Sequence, residues 1–296
     1  MAGKIRNGFE LSKQSWSALR KKKQLMLFPL LSGIGLVILT ALFIIPEWFI
    51  IQPLLNESAE APILVWVEAL VLFFLFYLVA AIVVIFSNAA LIAATQKMIE
   101  TGDASVGDGI KVALSRFGKI FVYALISATV GVFARSIAQS GRGSSSIAVA
   151  ILAAIVGSAI AAAWNIITFF ALPVMVIEDA GLKDSFKRAY ELFKQTWGEG
   201  FVGSTTISAV GAIAWIVIMI IGFGIFFLGA SQHINALIAA GIAFLVLGFA
   251  TIALLTGAVN GIFQTSLYHF ATTGDAGPFI DTELAKNAFP KTAGDQ

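Results

Sequence analysis

The chain has 296 residues, 58% of them hydrophobic and 12% charged, with a net charge of +2 and a mean hydropathy of +0.91. Globular domains carry about a quarter charged residues, so the apolar surplus excludes a water-exposed globule and assigns the chain to lipid. The chain holds no cysteine, which excludes disulfides and cysteine-based metal or redox chemistry.

A helix crosses the hydrocarbon core with about 20 apolar residues. Leu25 to Ile45 predicts a first span. It starts late and ends without a small-residue cleavage site, so it is expected to be retained rather than cleaved as a signal peptide. Ala69 to Thr95, between Glu68 and Lys97, predicts the second. The third is short, because only Ile120 to Ala134 is charge-free between Lys119 and Arg135, two cations whose stems can snorkel. Ser146 to Val176 holds the fourth. From Gly200 to Gly274 there is no Asp, Glu, Lys or Arg, and the polar cluster Ser231, Gln232, His233 and Asn235 divides that run into a fifth and a sixth.

Cation placement sets the expected orientation. Of the 19 Lys and Arg residues, 17 fall in the N-terminal segment, the second and fourth connections and the tail; only Arg135 and Arg142 fall on the other side, where Glu47, Glu57 and Glu60 also lie. Both termini are therefore expected to be cytoplasmic, with the chain in the cell membrane. Trp48 and Trp66 then sit at an outer aromatic belt and Trp197 at an inner one.

The even-numbered spans share a repeat. Asn88 precedes Asp103-Ala104-Ser105 by fifteen residues, Asn165 precedes Asp179-Ala180-Gly181 by fourteen, and Asn260 precedes Asp275-Ala276-Gly277 by fifteen. After the middle turn, Leu182, Phe186, Ala189, Tyr190, Phe193 and Trp197 share one helical face, and Lys183, Lys187, Arg188 and Lys194 the other. Ile110, Ala113, Leu114, Phe117 and Phe121 repeat the pattern after the first turn, where Ser105 and Asp108 form an S-x-x-D capping box. Ile5, Phe9, Trp16 and Leu19 mark an N-terminal copy; Ile280, Leu284 and Ala288, after Pro278, mark a terminal one. Each is expected to lie on the cytoplasmic leaflet, basic face toward anionic headgroups.

The expected fold is thus an all-α integral membrane domain over residues 1–296. It has six transmembrane helices as three parallel two-helix repeats, each preceded by a cytoplasmic interfacial amphipathic helix. The repeats cover residues 5–105, 106–181 and 182–277, with a tail at 278–296.

The stretches FSNAALIAATQKMIETGDASVGDGIKVALSRFGKI, LPVMVIEDAGLKDSFKRAYELFKQTWGE and SLYHFATTGDAGPF, with the opening SKQSWSALRKKKQLMLFPLLSG, resemble an uncharacterised family of prokaryotic polytopic membrane proteins catalogued as a domain of unknown function. More distantly, the P-x-x-x-x-E/D pattern with its amphipathic helix is similar to the membrane domain attached to some glycerophosphodiester phosphodiesterases. Their catalytic barrel is absent here. The resemblance implies a membrane location and a helical fold, and no reaction.

Three groups of candidate site residues follow. Asn88, Asn165 and Asn260 form an intramembrane polar set that either lines a vestibule or hydrogen-bonds neighbouring helices. Arg20, Lys21, Lys22, Lys23, Lys183, Lys187, Arg188 and Lys194 are the expected contacts to anionic lipid, the run Arg20 to Lys23 serving equally to set topology. Asp103, Asp179 and Asp275, with Glu178, either form a gate or partner site at the cytoplasmic mouth or cap the helices after the turns, the latter being expected because helix N-termini favour negative charge. Gly198-Glu199-Gly200-Phe201-Val202-Gly203 matches G-x-G-x-x-G but follows no strand, so it reads as close packing, as do Gly257 and Gly261. His233 and His269 fall on opposite sides and share no metal. Asn56-Glu57-Ser58 is a formal glycosylation sequon.

No catalytic, metal or cofactor signature is present, so no enzyme and no cofactor is expected. The favoured function is a non-enzymatic scaffold or accessory protein that engages anionic lipid, a protein partner or a second copy through its basic cytoplasmic belt, with no nucleic acid. The alternative is a transporter or channel for a lipid or uncharged solute along the axis between repeats. Coupled transport is disfavoured, because no ionisable group lies at mid-span.

Overall fold

The computed structural model describes residues 14, 16, 17, 19, 22–56, 63–143, 146–197 and 202–288. Among them there is no strand. The helices are α1 (Leu27–Asn56), α2 (Ile63–Thr101), α3 (Val106–Ser115), α4 (Phe117–Ser140), α5 (Ile147–Thr168), α6 (Ala171–Ile177), α7 (Leu182–Trp197), α8 (Val202–Ser231), α9 (Asn235–Thr273) and α10 (Thr282–Ala288), with short 3-10 turns at Lys23–Met26 and Gly141–Gly143.

Among the described residues six stretches are long and apolar enough to cross a membrane: Lys23–Phe43, Val67–Thr101, Phe117–Ser140, Ile147–Ile177, Gly211–Ser231 and Asn235–Thr273. Their outer surfaces carry the apolar surplus. Val37, Leu70, Ile147, Ile220 and Leu247 are each at least 67% exposed, and burying one such side chain away from water is worth about 1.5–3 kcal/mol. Lipid supplies that burial for all of them at once.

Charge-free runs underestimate the first three helices, the first of which continues through Glu47 to Asn56. The third spans 24 residues and includes both Lys119 and Arg135, because the lysine pairs with Asp179 and the guanidinium sits over the Tyr77 ring. The second and sixth helices each run 39 residues, about 58 Å at 1.5 Å per residue, well beyond the hydrocarbon core. The fourth is interrupted at Phe169 and Phe170 and resumes as α6. Pro173 lies in the first turn of α6, where its missing N–H costs no helical hydrogen bond. The fifth and sixth separate at the expected polar cluster, with His233 at φ 54° in the turn.

Contacts group the chain into two units: Met1–Leu30, Ala90–Gly109 and Glu191–Gln296 form the first, Leu31–Ala89 and Ile110–Tyr190 the second. In the first unit, α8 and α9 pack as an antiparallel hairpin along a ladder of glycines. Added Cβ atoms at Gly248, Gly222, Gly241 and Gly229 would stand 2.4–2.8 Å from Ile218, Leu245, Phe226 and Ile238 in turn. The ends of α2 and α9 also meet there: Gly261 lies against Leu91 and Gly277 against Ile99, around buried Ile92, Met98, Phe263 and Leu267. In the second unit α4 and α5 close on each other at Gly157, where a Cβ would stand 2.5 Å from the Ala134 carbonyl and 2.6 Å from the Ala138 amide nitrogen.

Replacing Gly157 by leucine should therefore force backbone apart and lower the stability of the detergent-solubilised protein by about 1–3 kcal/mol, the usual cost of overpacking. The same replacement at Gly224, which has nothing within 4 Å of its would-be Cβ, should leave the thermal unfolding midpoint unchanged. Equal midpoints for the two variants would refute the packing role.

Candidate functional site

The turns that follow α2 and α9 are built alike. Each helix ends on a left-handed glycine, Gly102 at φ 79° and Gly274 at φ 82°, a conformation glycine adopts without a Cβ penalty. Each preceding threonine folds its hydroxyl over the turn: Thr101 Oγ1 donates to the Asp103 carbonyl at 2.7 Å, Thr273 Oγ1 to the Asp275 carbonyl at 3.3 Å. Ala104 and Ala276 are then buried, only 4% and 0% exposed, which accounts for a small apolar residue after the aspartate. The middle turn differs, since Glu178 replaces the glycine and the left-handed residue is Asp179 itself, at φ 56°.

The turn aspartates do not cap the following helices in one common way. Ser105 and Asp108 form the expected box: the Ser105 amide donates to Asp108 Oδ2 at 2.8 Å and the Asp108 amide to Ser105 Oγ at 3.2 Å. Asp103 contributes its backbone to the turn. Asp179 instead receives Lys119 Nζ at 2.6 Å and Arg116 Nε at 3.3 Å, while Arg116 Nε also donates to the Val176 carbonyl at 3.0 Å. Within the second unit this ties the end of the fourth span to the start of the third. Asp275 accepts from Thr282 Oγ1 at 2.6 Å and so fixes α10.

These contacts hold three carboxyls below the usual range. For Asp108 the cause is first the Lys97 hydrogen bond and then Ser105; for Asp179 it is the Lys119 hydrogen bond; for Asp275 it is the Thr282 hydroxyl.

The expected lipid contacts divide by whether they are already paired. Lys22 donates to the Gly102 carbonyl at 3.2 Å, and Arg188 lies 3.7 Å from Glu178. Lys23 is exposed in its 3-10 turn, whereas Arg20 and Lys21 fall outside the described residues. Lys183, Lys187 and Lys194 are exposed and are in no ion pair among the described residues. The face that α7 turns inward is rotated from the expected one. Ser185, Ala189 and Leu192 are each only 1% exposed and Tyr190 is 60% exposed, because Phe186 packs between Trp164 and Tyr123 with ring centroids 5.8 and 6.1 Å away. On the earlier copy Ala113 is buried while Leu114, Phe117 and Phe121 are exposed. Ile5, Phe9, the Gly198–Phe201 half of the glycine pattern, and Glu57 and Ser58 of the sequon lie outside the described residues.

The three asparagines do not share one environment. Asn88 is half-buried, and Asn165 and Asn260 are exposed. Asn165 lines a cavity of about 450 Å³ in the second unit, together with Tyr77, Ser127, Arg135 and Trp164. Asn88, in the same unit, does not line it, and Asn260 belongs to the first unit.

Two features escaped the sequence reading. One is the Arg135–Tyr77 pair at this cavity, with the guanidinium carbon 5.4 Å from the ring centroid. The other is a buried polar layer in the first unit: Gln96, 8% exposed, donates to Glu100 at 2.7 Å and stands 3.4 Å from His269 Nδ1, with Thr95, Thr265 and Ser266 at 0% nearby in sequence. Gln96 with Glu100, and Thr265 with His269, are spaced one turn apart, a helical-face signal masked by the neighbouring polar ends of the spans. Among the described residues no three His, Asp or Glu side chains group as metal ligands.

A carboxyl depressed by a folded-state partner stabilises the fold fully above its unfolded value of about 3.9 and loses that contribution as pH falls through the folded value. Asp179→Asn should therefore lower the unfolding midpoint at pH 7. Its gap from the parent should close only as the buffer is taken below pH ~4, read by thermal scans across the acidic range. A gap that stays constant with pH would discount the Lys119 and Arg116 contacts.

No curated protein matches the chain. A family profile described only as of unknown function matches residues 67–279, from the second span to the turn after the sixth. The chain accordingly belongs to the family of unknown function DUF6159.

Proposed function

We propose that the chain is a non-enzymatic multi-pass membrane protein of three tandem hairpins, with both termini cytoplasmic, whose basic cytoplasmic belt holds anionic lipid and thereby organises the membrane or a partner beside it. The observation that carries this reading is the division among the cations. Lys97, Arg116, Lys119 and Arg188 are engaged by carboxylates, whereas Lys183, Lys187 and Lys194 stand exposed on α7 beside the exposed Tyr190. Each free cation near an anionic surface contributes about 1 kcal/mol. Three together favour anionic over neutral lipid by about two orders of magnitude at low salt.

Helix lengths support the triplication. A 30-residue helix is followed by one of 39 residues at both α1–α2 and α8–α9, and both pairs end on the same Thr–Gly–Asp–Ala turn. The middle pair is shorter, with 24 residues in its first helix and 22 in its second before the break at Phe169 and Phe170. Every pair enters from the lysine-rich side, as parallel repeats do. The likeness to the membrane domain attached to glycerophosphodiester phosphodiesterases rests on Pro173 to Glu178 and extends to helical architecture alone.

A second reading, passage of a lipid or an uncharged solute, is favoured by the cavity lined by Asn165. Flux through reconstituted liposomes that disappears in Asn165→Leu would support it; flux that persists would retire it.

The cysteine-free chain suits site-directed labelling. Cysteine at the exposed Arg142 and at the exposed Lys187 should react from opposite faces of the membrane, and labelling from one compartment would overturn the hairpin arrangement. A fluorophore on Tyr190→Cys should be quenched more by brominated phosphatidylglycerol than by brominated phosphatidylcholine. That preference should vanish when Lys183, Lys187 and Lys194 are all changed to glutamine; its persistence would remove the belt from the function.

A further inference from the structure

Arg135 lies inside α4, five residues before the helix ends at Ser140, roughly 8 Å along its axis. A cation in such a segment is costly unless something accepts its donors, and it is by default a functional position. Among the described residues no carboxylate pairs with it. Its guanidinium rests over the Tyr77 ring, 5.4 Å from the centroid, an attraction that orients the plane and leaves its N–H donors unfilled.

Gly131 makes this arrangement possible. It stands one turn before Arg135 on the same face of α4, and a Cβ there would come 2.6 Å from the Tyr77 hydroxyl. The glycine admits the tyrosine, and the tyrosine positions the guanidinium.

Both side chains open into the cavity of about 450 Å³, within the 300–1,000 Å³ typical of ligand pockets. Beside Val130, its walls between α4 and α5 are small: Gly131, Ala134, Ala138, Gly157, Ser158 and Ala161. From the cationic end the lining continues along α5 to Trp164 and Asn165, so one end offers phosphate donors and the remainder offers a shallow, largely apolar track. A guanidinium matches phosphate oxygens bidentately, and in a bilayer the molecule that joins a phosphate to a hydrocarbon chain is a phospholipid.

We propose that this cavity binds a phospholipid, its phosphate held by the Arg135 guanidinium and the Tyr77 hydroxyl and one acyl chain lying against the small residues of α4 and α5. The site is separate from the lysines of α7. The proposed topology places it in the outer leaflet, but the binding itself depends only on the geometry of the second unit.

Native mass spectrometry of the purified full chain titrated with phosphatidylglycerol tests the site, with inorganic phosphate as a separate arm. Arg135→Gln should weaken binding about tenfold, the loss of one charge-assisted contact. Ala161→Leu, which fills the track and leaves the cation untouched, should weaken it several-fold, and Ser158→Leu replaces it should that variant fail to fold. Arg142→Gln, at an exposed cation of the same end, should bind as the parent does, as should the triple lysine variant of α7, so failure of the belt and failure of this site are read separately. Parental binding in Arg135→Gln would overturn the proposal. So would parental binding in the folded track-filling variant, which would mean that Arg135 merely snorkels to headgroups, or binding of inorganic phosphate as tight as that of the lipid.

Discussion

Helices surrounded by lipid gain nothing by burying leucine against leucine, since the tails are as apolar as the side chains. What holds them is close backbone approach, and in this chain glycine supplies it. Gly157 lets α5 touch the Ala134 carbonyl of α4, Gly241 and Gly229 do the same between α9 and α8, and Gly261 admits Leu91 between α9 and α2. The large side chains that a soluble protein would bury, such as Val37 and Leu247, are correspondingly exposed. The cavity in the second unit follows from the same choice of small residues: where helices cross tightly at Gly157, the neighbouring small side chains on either side leave room.

Charge is used in two ways. At the turns, cations and carboxylates are paired or bonded to backbone: Lys97 with Asp108, Arg116 and Lys119 with Asp179, Lys22 with the Gly102 carbonyl. These ties terminate long helices and fix where the chain reverses. Lys183, Lys187 and Lys194 are left over from that network, as is Arg135 within α4, and unspent charge is what a ligand or a lipid surface can recognise. Both functional proposals therefore come from the same accounting of donors and acceptors.

Local features were readable from the residues because their partners lie within a few positions. The Ser105–Asp108 box and the polar break at Ser231 to Asn235 each depend on neighbours in sequence. The third span was read too short because charge was treated as a boundary. Lys119 and Arg135 are accommodated by residues 60 and 58 positions away, which no local window contains. Which side chains of α7 are buried is likewise not local, since the rings flanking Phe186 come from α4 and α5.

Composition and run length by themselves determined an all-helical chain with six lipid-length apolar segments, because the free energy of putting some twenty residues into hydrocarbon is a sum over side chains and needs no knowledge of contacts. The recurrence of asparagine before an Asp-Ala turn was equally plain. Which asparagine faces a cavity, which lysines remain unpaired, and that an arginine rests on a tyrosine admitted by a glycine were decided only by tertiary structure. Those are properties of distances between helices, and helical periodicity specifies a face without specifying what stands opposite it.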